Sequence, residues 1–267
     1  ARVGAMRPFA TALRALLFLA LLAAAGTASA ADIRVITSGA FTEAYKKLVP
    51  LYEAASGNKV ISSFGASVGN APDSIPSRLA RGETFDVLIL SEAGLEAMVK
   101  EGKIQAGSRV DLARSQIGAA VRKGTPRPDI STVEALKKTL MEAKSVAWSA
   151  SASGVYLSEV LWPKLGVAEQ MAKTGKKILS ERVGAVVARG DAELGFQQVS
   201  ELIYFKELDF IGTLPEAVQQ TIFFSAGLGK DAQNVDAAKH LVRFLASPAV
   251  ADIVRDTGLD PVGAAKK

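Results

Sequence analysis

Short apolar runs alternate with amphipathic stretches along most of this chain. "IRVIT" (Ile33 to Thr37) has the length of a strand, and Phe41, Tyr45, Leu48 and Tyr52 then recur at helical spacing up to Gly57. Pro50 interrupts that helical pattern; it lacks a backbone donor and is expected to kink the helix. "VISSF" (Val60 to Phe64) predicts a second strand, and a helix follows through Ile75 and Leu79. "FDVLIL" (Phe85 to Leu90) predicts a buried third strand, with a short helix at Leu95 to Lys100. This is a βαβαβ unit, which implies a parallel sheet with helices on both faces.

The pattern then begins again. "SQIGAAVRKG" (Ser115 to Gly124) reads as an extended crossing segment, and "STVE" (Ser131 to Glu134) as a capping box that opens a helix through Leu140. "SVAWS" predicts a strand, with a helix after Ser153-Gly154. Val183 to Arg189 predicts another helix, Ala192 to Gln197 a strand, and Thr221 to Leu228 a returning strand. A helix at Val235 to Ala246 and the segment "SPAVADIVRDTG" follow. The fold class is therefore α/β, in two lobes, each a mainly parallel sheet flanked by helices. The first lobe is discontinuous, 31–114 with 225–267, and the second is 115–224. The chain crosses near residues 113–118 and 218–228, and two crossings make a hinge whose cleft is the default binding site.

Composition changes the picture at the N-terminus. Arg2, Arg7 and Arg14 precede the apolar run "ALLFLALLAAA", and Ala28-Ser29-Ala30 fits a cleavage site, so residues 1–30 read as a secretory signal peptide. The run is shorter than the roughly 20 residues a membrane anchor needs. Met6 reads as the initiating residue, with residues 1–5 an upstream extension of the frame. Without the leader's three arginines the formal charge falls from +5 to +2, so the basic whole-chain balance carries no nucleic-acid inference. The chain has no cysteine and one histidine, His240. That excludes disulfides and thiolate or multi-histidine metal sites, and points an exported chain to a bacterial periplasm.

Four loops at the carboxyl ends of predicted strands open helices and are rich in Ser and Gly: "TSGAF" (37–41), "GASVGN" (65–70), "SASASGVY" (149–156) and "LSERVG" (179–184). Small residues let backbone N–H groups reach a ligand, and helix N-termini favour negative charge. Gln197 and Gln198 end an apolar run, and buried amides need partners. They either face a ligand or form a solvated strand end. Arg78 and Arg182 flank the second and fourth loops and are candidate carboxylate clamps, the alternative being solvated helix faces. Trp148 and Tyr156 are candidate cleft walls, with core packing as their alternative.

The same stretches carry a resemblance. "IRVITSGAFTEAY", "KVISSFGASV", "RLARGETFDVLILS", "SGVYLSEVL", "VARGDAELGFQQVSEL" and "FLASPAVADIVRDTGL" resemble segments of the periplasmic molybdate-binding proteins and their relatives among ABC-transporter solute-binding proteins. The resemblance covers nearly all of residues 32–260. It implies the type II periplasmic binding fold, a small anionic ligand, an inner-membrane ABC permease as partner, a monomer, and no cofactor, metal or nucleic acid. Carried over residue by residue, it implies ligand contacts from Ser67, Ser153, Val183 and Gln198, with Ser38 and Gly39 the candidates from the first loop.

The departures are specific. The oxyanion-binding serine after the first strand aligns with Ala40, leaving Ser38 two residues earlier to substitute. The binding alanine of the third loop becomes Ser153. The valine of the fourth aligns with Ser180 without a gap or Val183 with one, and the family's tyrosine becomes Gln198. An amide both donates and accepts, which suits a carboxylate or hydroxylated solute better than a tetrahedral dianion. The leading expectation is a periplasmic receptor for an oxyanion or a di- or tricarboxylate. The alternative, also reached by resemblance, is a cofactor-free isomerase of a small tricarboxylate, as in aconitate isomerase. That chemistry needs a base, and Glu181 and His240 are the two candidates, neither assigned.

Overall fold

The computed structural model describes residues 29–262. The expected leader, 1–30, lies almost wholly outside them. Strand β1, Asp32–Thr37, leads through Ser38 into helix α1, Gly39–Ser56, which continues past Pro50. The stripe of Phe41, Tyr45, Leu48 and Tyr52 is buried against Val35, Ile89 and Leu241. Burial of each such side chain is worth ~1.5–3 kcal/mol, so Phe41→Ala is expected to cost about 3–5 kcal/mol. Gly57 ends α1 at φ 74°, and its N–H returns to the Glu53 carbonyl at 3.0 Å; glycine takes this left-handed turn without a Cβ clash.

Strand β2, Lys59–Phe64, and β3, Val87–Ser91, flank β1, and helix α2, Ile75–Ala80, lies between them in sequence. β3 starts two residues later than Phe85, because the buried Asp86 turns its carboxylate back to accept from Arg34 N at 2.8 Å and Gln233 N at 2.9 Å. Helix α3, Glu92–Lys100, leads to β4, Val110–Ser115, and Gln116 alone separates β4 from β5, Ile117–Arg122. The crossing segment is thus two strands of two different sheets. Helix α4, Val133–Glu142, is capped by Thr132, whose Oγ accepts from Ala135 N at 3.0 Å; the expected cap, Ser131, is instead tied to Asp129.

Strand β6, Val146–Ser149, precedes α5, Ala152–Tyr156, which passes through a π-turn (Leu157–Leu161) into α6, Trp162–Leu165. Helix α7, Ala168–Thr174, and strand β7, Gly175–Ile178, were not evident in the sequence pattern. Next come α8, Val183–Ala188, β8, Leu194–Gln198, α9, Val199–Leu202, and β9, Leu208–Thr213. The chain returns with β10, Ile222–Leu228, then α10, Val235–Leu245, α11, Ala251–Asp256, and β11, Asp260–Pro261.

The two sheets have the orders β11-β4-β10-β3-β1-β2 and β7-β6-β8-β5-β9. Both are mixed. β1 is parallel to β2 and β3, and β6 to β7 and β8, whereas the strands next to the crossings, β4, β5, β9 and β10, pair antiparallel. Alternation along the strands sends Ile33, Val35 and Ile89 to one core and Ile36, Leu88 and Leu90 to another on the opposite face. β5 and β6 do the same in the second sheet, with Ala119, Val121 and Trp148 on one face and Ala120 and Ala147 on the other. Both sheets are therefore covered on both sides. Their joining segments are laced together by Gln116 Nε2 donating to Thr221 Oγ1 at 3.2 Å and by the Gln219 amide bridging to the backbone of Ile117.

Candidate functional site

The carboxyl ends of β1, β2, β6 and β8 meet across the gap between the sheets, the usual ligand position in open α/β sheets. They enclose a cavity of about 250 Å³. Ser38 hangs between β1 and α1, its N–H held by the Ile89 carbonyl at 2.8 Å. It occupies the N-cap of α1, yet its side chain makes no capping bond. Its Oγ is buried, faces the cavity and has no partner. The first N–H groups of α1, an 18-residue helix, have no intrahelical acceptor either. From the β2 loop, Ser67 Oγ accepts from Ser91 N at 2.9 Å, while its N–H donates to Ser151 Oγ of the other lobe at 3.1 Å. Ser153, in the first turn of α5, shares its hydroxyl with Ser149.

Both glutamines at the end of β8 are buried, so the reading of a solvated strand end falls. Gln198, 2 % exposed, accepts from Ser115 Oγ at 2.6 Å through Oε1. This bond orients the amide and leaves Nε2 as a buried donor without a partner. Gln197 Oε1 accepts from Val183 N at 3.3 Å. A buried polar group left unmatched costs about 1–3 kcal/mol, so Ser38 Oγ and Gln198 Nε2, both on the cavity wall, mark a place built for acceptor oxygens.

Ser38, Gly39, Ser67, Ser153, Arg182, Gln197 and Gln198 all line the cavity. Two other candidates do not. Arg78 lies outside, its Nε and Nη2 bonded to Glu83, its Nη1 to the Phe64 carbonyl, and its guanidinium over the Phe85 ring. Val183 sits behind the wall, its N–H consumed by Gln197. Trp148 and Tyr156 belong to the core instead: the Trp148 ring packs edge-on against Trp162, and the Tyr156 hydroxyl donates to the Val218 carbonyl at 2.6 Å. His240 is remote on α10, bonded through Nδ1 to the Tyr52 hydroxyl. Glu181 reaches the rim, but Arg189 binds both its oxygens, at 2.6 and 2.7 Å, and holds its pKa below the usual range.

Glu201 and Lys46 also line the cavity and were not singled out in the sequence. Glu201 stands in α9, three residues beyond Gln198, and is only 7 % exposed. Its carboxyl lies directly against Gly39 of the opposite lobe: a Cβ placed on Gly39 would fall 1.7 Å from Glu201 Oε1. Burial pushes the Glu201 carboxyl up to about 7, against the pull of Arg182 and the Gln198 backbone. Arg182 in turn approaches Glu43 of α1 at 2.9 Å and stacks over Tyr204. Ser180 donating to Asp73 at 3.2 Å and Ser200 donating to the Ala40 carbonyl at 2.7 Å are further contacts between the lobes. Among the described residues no group of three or more His, Cys, Asp or Glu side chains is placed to hold a metal ion.

Residues 33–260 match the model of the bacterial extracellular solute-binding protein family. The chain belongs to this family. A solute-binding protein of this kind takes a small ligand, and the family serves ABC transporters. Among curated relatives, an aconitate isomerase of Pseudomonas sp is 42 % identical over 232 residues, 87 % of this chain and 88 % of that protein. The molybdate-binding protein ModA of Rhodobacter capsulatus is 30 % identical over 258 residues, 95 % of this chain and 96 % of that protein. Among solved structures, the periplasmic molybdate-binding protein of Azotobacter vinelandii superposes with a TM-score of 0.69 at 19 % identity, over 85 % of this chain and 98 % of that one. The structural likeness carries the two-lobed type II periplasmic binding fold that the resemblance implied.

Proposed function

We propose that this protein is a periplasmic, cofactor-free isomerase of a small tricarboxylate of the aconitate type, exported behind a cleaved leader spanning residues 1–30. The observation that carries this reading is the buried carboxyl of Glu201 on the wall of a cavity that also holds the unpartnered donors Ser38 Oγ and Gln198 Nε2. Binding a tetrahedral dianion calls for donors alone and gives a proton acceptor no task. Isomerising an allylic acid needs both kinds of group: donors that hold carboxylates, and one acceptor of a proton. Ser38 Oγ, Gln198 Nε2 and the N-terminus of α1 supply the first kind. Arg182 and Lys46 add positive charge on opposite lobes. The 42 % identical relative named as an aconitate isomerase, matched over most of both chains, supports the same substrate class.

In an aconitate, a methylene and a vinyl carbon flank the central carbon. Removing a methylene proton gives an allylic carbanion spread over three carbons and into the carboxylates. Reprotonation at the other end moves the double bond onto the former methylene carbon, and the way that arm is held as the bond forms sets cis or trans. No redox change occurs. The protein's task is to hold the carboxylates while charge develops on them, which preorganised donors in a site shielded from water do well.

A receptor that hands a carboxylate or oxyanion to an ABC permease is the second reading. It is favoured by the ModA relative, which is matched over 95 % of this chain. Incubating the protein with trans-aconitate and following cis-aconitate separates the two. Formation of cis-aconitate at a catalytic rate supports the isomerase. A melting temperature raised by molybdate, tungstate or sulfate, with trans-aconitate neither converted nor bound, supports the receptor.

A further inference from the structure

Resting on the isomerase reading, we propose that Glu201 is the catalytic base, taking the proton from the substrate's methylene carbon and returning it to the far carbon of the same allylic system. The step balances within the substrate. The methylene C–H bond breaks and Glu201 gains an O–H bond. The electron pair moves in to form a new C=C, and the old double bond opens toward its far carbon. That carbon takes the proton back from Glu201, which leaves the carboxylate as it began.

The geometry selects this residue among the acids around the cavity. Asp73 is engaged by Ser180 Oγ across the mouth, and both oxygens of Glu181 are held by Arg189 on the exposed rim. Glu43 stands behind Arg182 and does not line the cavity. His240 is bonded to Tyr52 on the outer helices. Glu201 alone combines burial, a place on the wall and freedom from a guanidinium bonded to both its oxygens.

Gly39 makes the position possible. Any larger residue there would put a Cβ on the carboxyl oxygen of Glu201. The oxygen thus lies against the start of α1, on the cavity that Ser38 Oγ and Gln198 Nε2 also line, so a carboxylate seated on those two donors shares that cavity with the base. The charged groups around Glu201 are Arg182, with Glu43 behind it, and Lys46, Asp73 and Glu181 farther round the cavity. Arg182 keeps the base ionisable while burial keeps it basic, and the resulting pKa of about 7 suits proton transfer near neutral pH.

The test compares the wild type with Glu201→Gln and Glu201→Asp, measuring kcat and KM for trans-aconitate from pH 5 to 9 and the melting shift that trans-aconitate induces. Glu201→Gln is expected to keep the melting shift and lose about 100-fold or more in kcat. Glu201→Asp is expected to recover part of the rate, with the acidic limb of its pH profile displaced. A Glu201→Gln variant that turns over within a few-fold of wild type, or one whose loss lies entirely in KM, overturns the assignment while leaving the isomerase intact. A wild type that binds trans-aconitate without converting it removes the isomerase reading and the base together.

Discussion

Glutamine at position 201 should make the protein more stable at neutral pH while removing its proposed chemistry. The folded state holds the Glu201 carboxyl at about 7, against 4.5 for the free side chain. Below about 4.5 both folded and unfolded chains carry the proton, and burial of the neutral acid costs nothing extra. Between about 4.5 and about 7 the unfolded chain releases its proton while the folded chain keeps it, so stability falls as pH rises. Above about 7 the folded state carries a buried charge, and at about 1.4 kcal/mol per pH unit the accumulated loss is about 3 kcal/mol. Glu201→Gln removes the charge and leaves a similar shape. For a chain of this size about 3 kcal/mol corresponds to roughly 6–12 °C in melting temperature. Thermal unfolding followed by circular dichroism at pH 4.5 and pH 8 reads the difference. The variant should match wild type at pH 4.5 and melt higher at pH 8. An equal difference at both pH values, or a variant less stable than wild type at pH 8, refutes the account of a strained, buried carboxyl. That result would make Glu201 a neutral strut between the lobes.

Ser38→Ala removes a buried hydroxyl that has no partner within the protein, so stability without substrate should rise by about 1–3 kcal/mol. Its loss should weaken tricarboxylate binding about 10-fold or more, measured by calorimetry. Gln198→Ala should weaken binding similarly and also cost about 1–3 kcal/mol in urea unfolding, because it strands the buried Ser115 hydroxyl. Gly39→Ala should abolish isomerisation, since its Cβ displaces the Glu201 carboxyl, while the circular dichroism spectrum stays native-like. Arg78→Ala should leave the ligand-induced melting shift unchanged, because that guanidinium is committed to Glu83 and Phe85 outside the cavity.

Most of the fold was legible because its elements bury regular faces. The α1 stripe repeats every three to four residues, and β3 is buried along its whole length, so both patterns stand out against their turns. β7, with "GKKI" half-exposed at a sheet edge, shows no such pattern, and α7 is short and polar. The mixed character of the sheets depends on which strands the crossings bring together, which periodicity does not record. The site was legible where a small residue ends a strand, as at Ser38, Ser67 and Ser153, since position alone puts these at the cleft. Gln198 was legible as an amide out of place in an apolar run. Arg78 was misread because sequence distance to a loop says nothing of the Glu83 carboxylate that captures it. Glu201 was passed over because it reads as the next polar residue after a strand. Only the docking of α9 against the start of α1 turns it into the gap that Gly39 leaves.

The most direct test follows trans-aconitate by proton NMR in D2O with the purified wild-type protein. Catalytic conversion to cis-aconitate without added metal or cofactor is expected, with the migrating proton largely retained in the product because Glu201 carries it from one carbon to the other. Unchanged trans-aconitate, together with a melting temperature raised by molybdate and not by tricarboxylates, would contradict it.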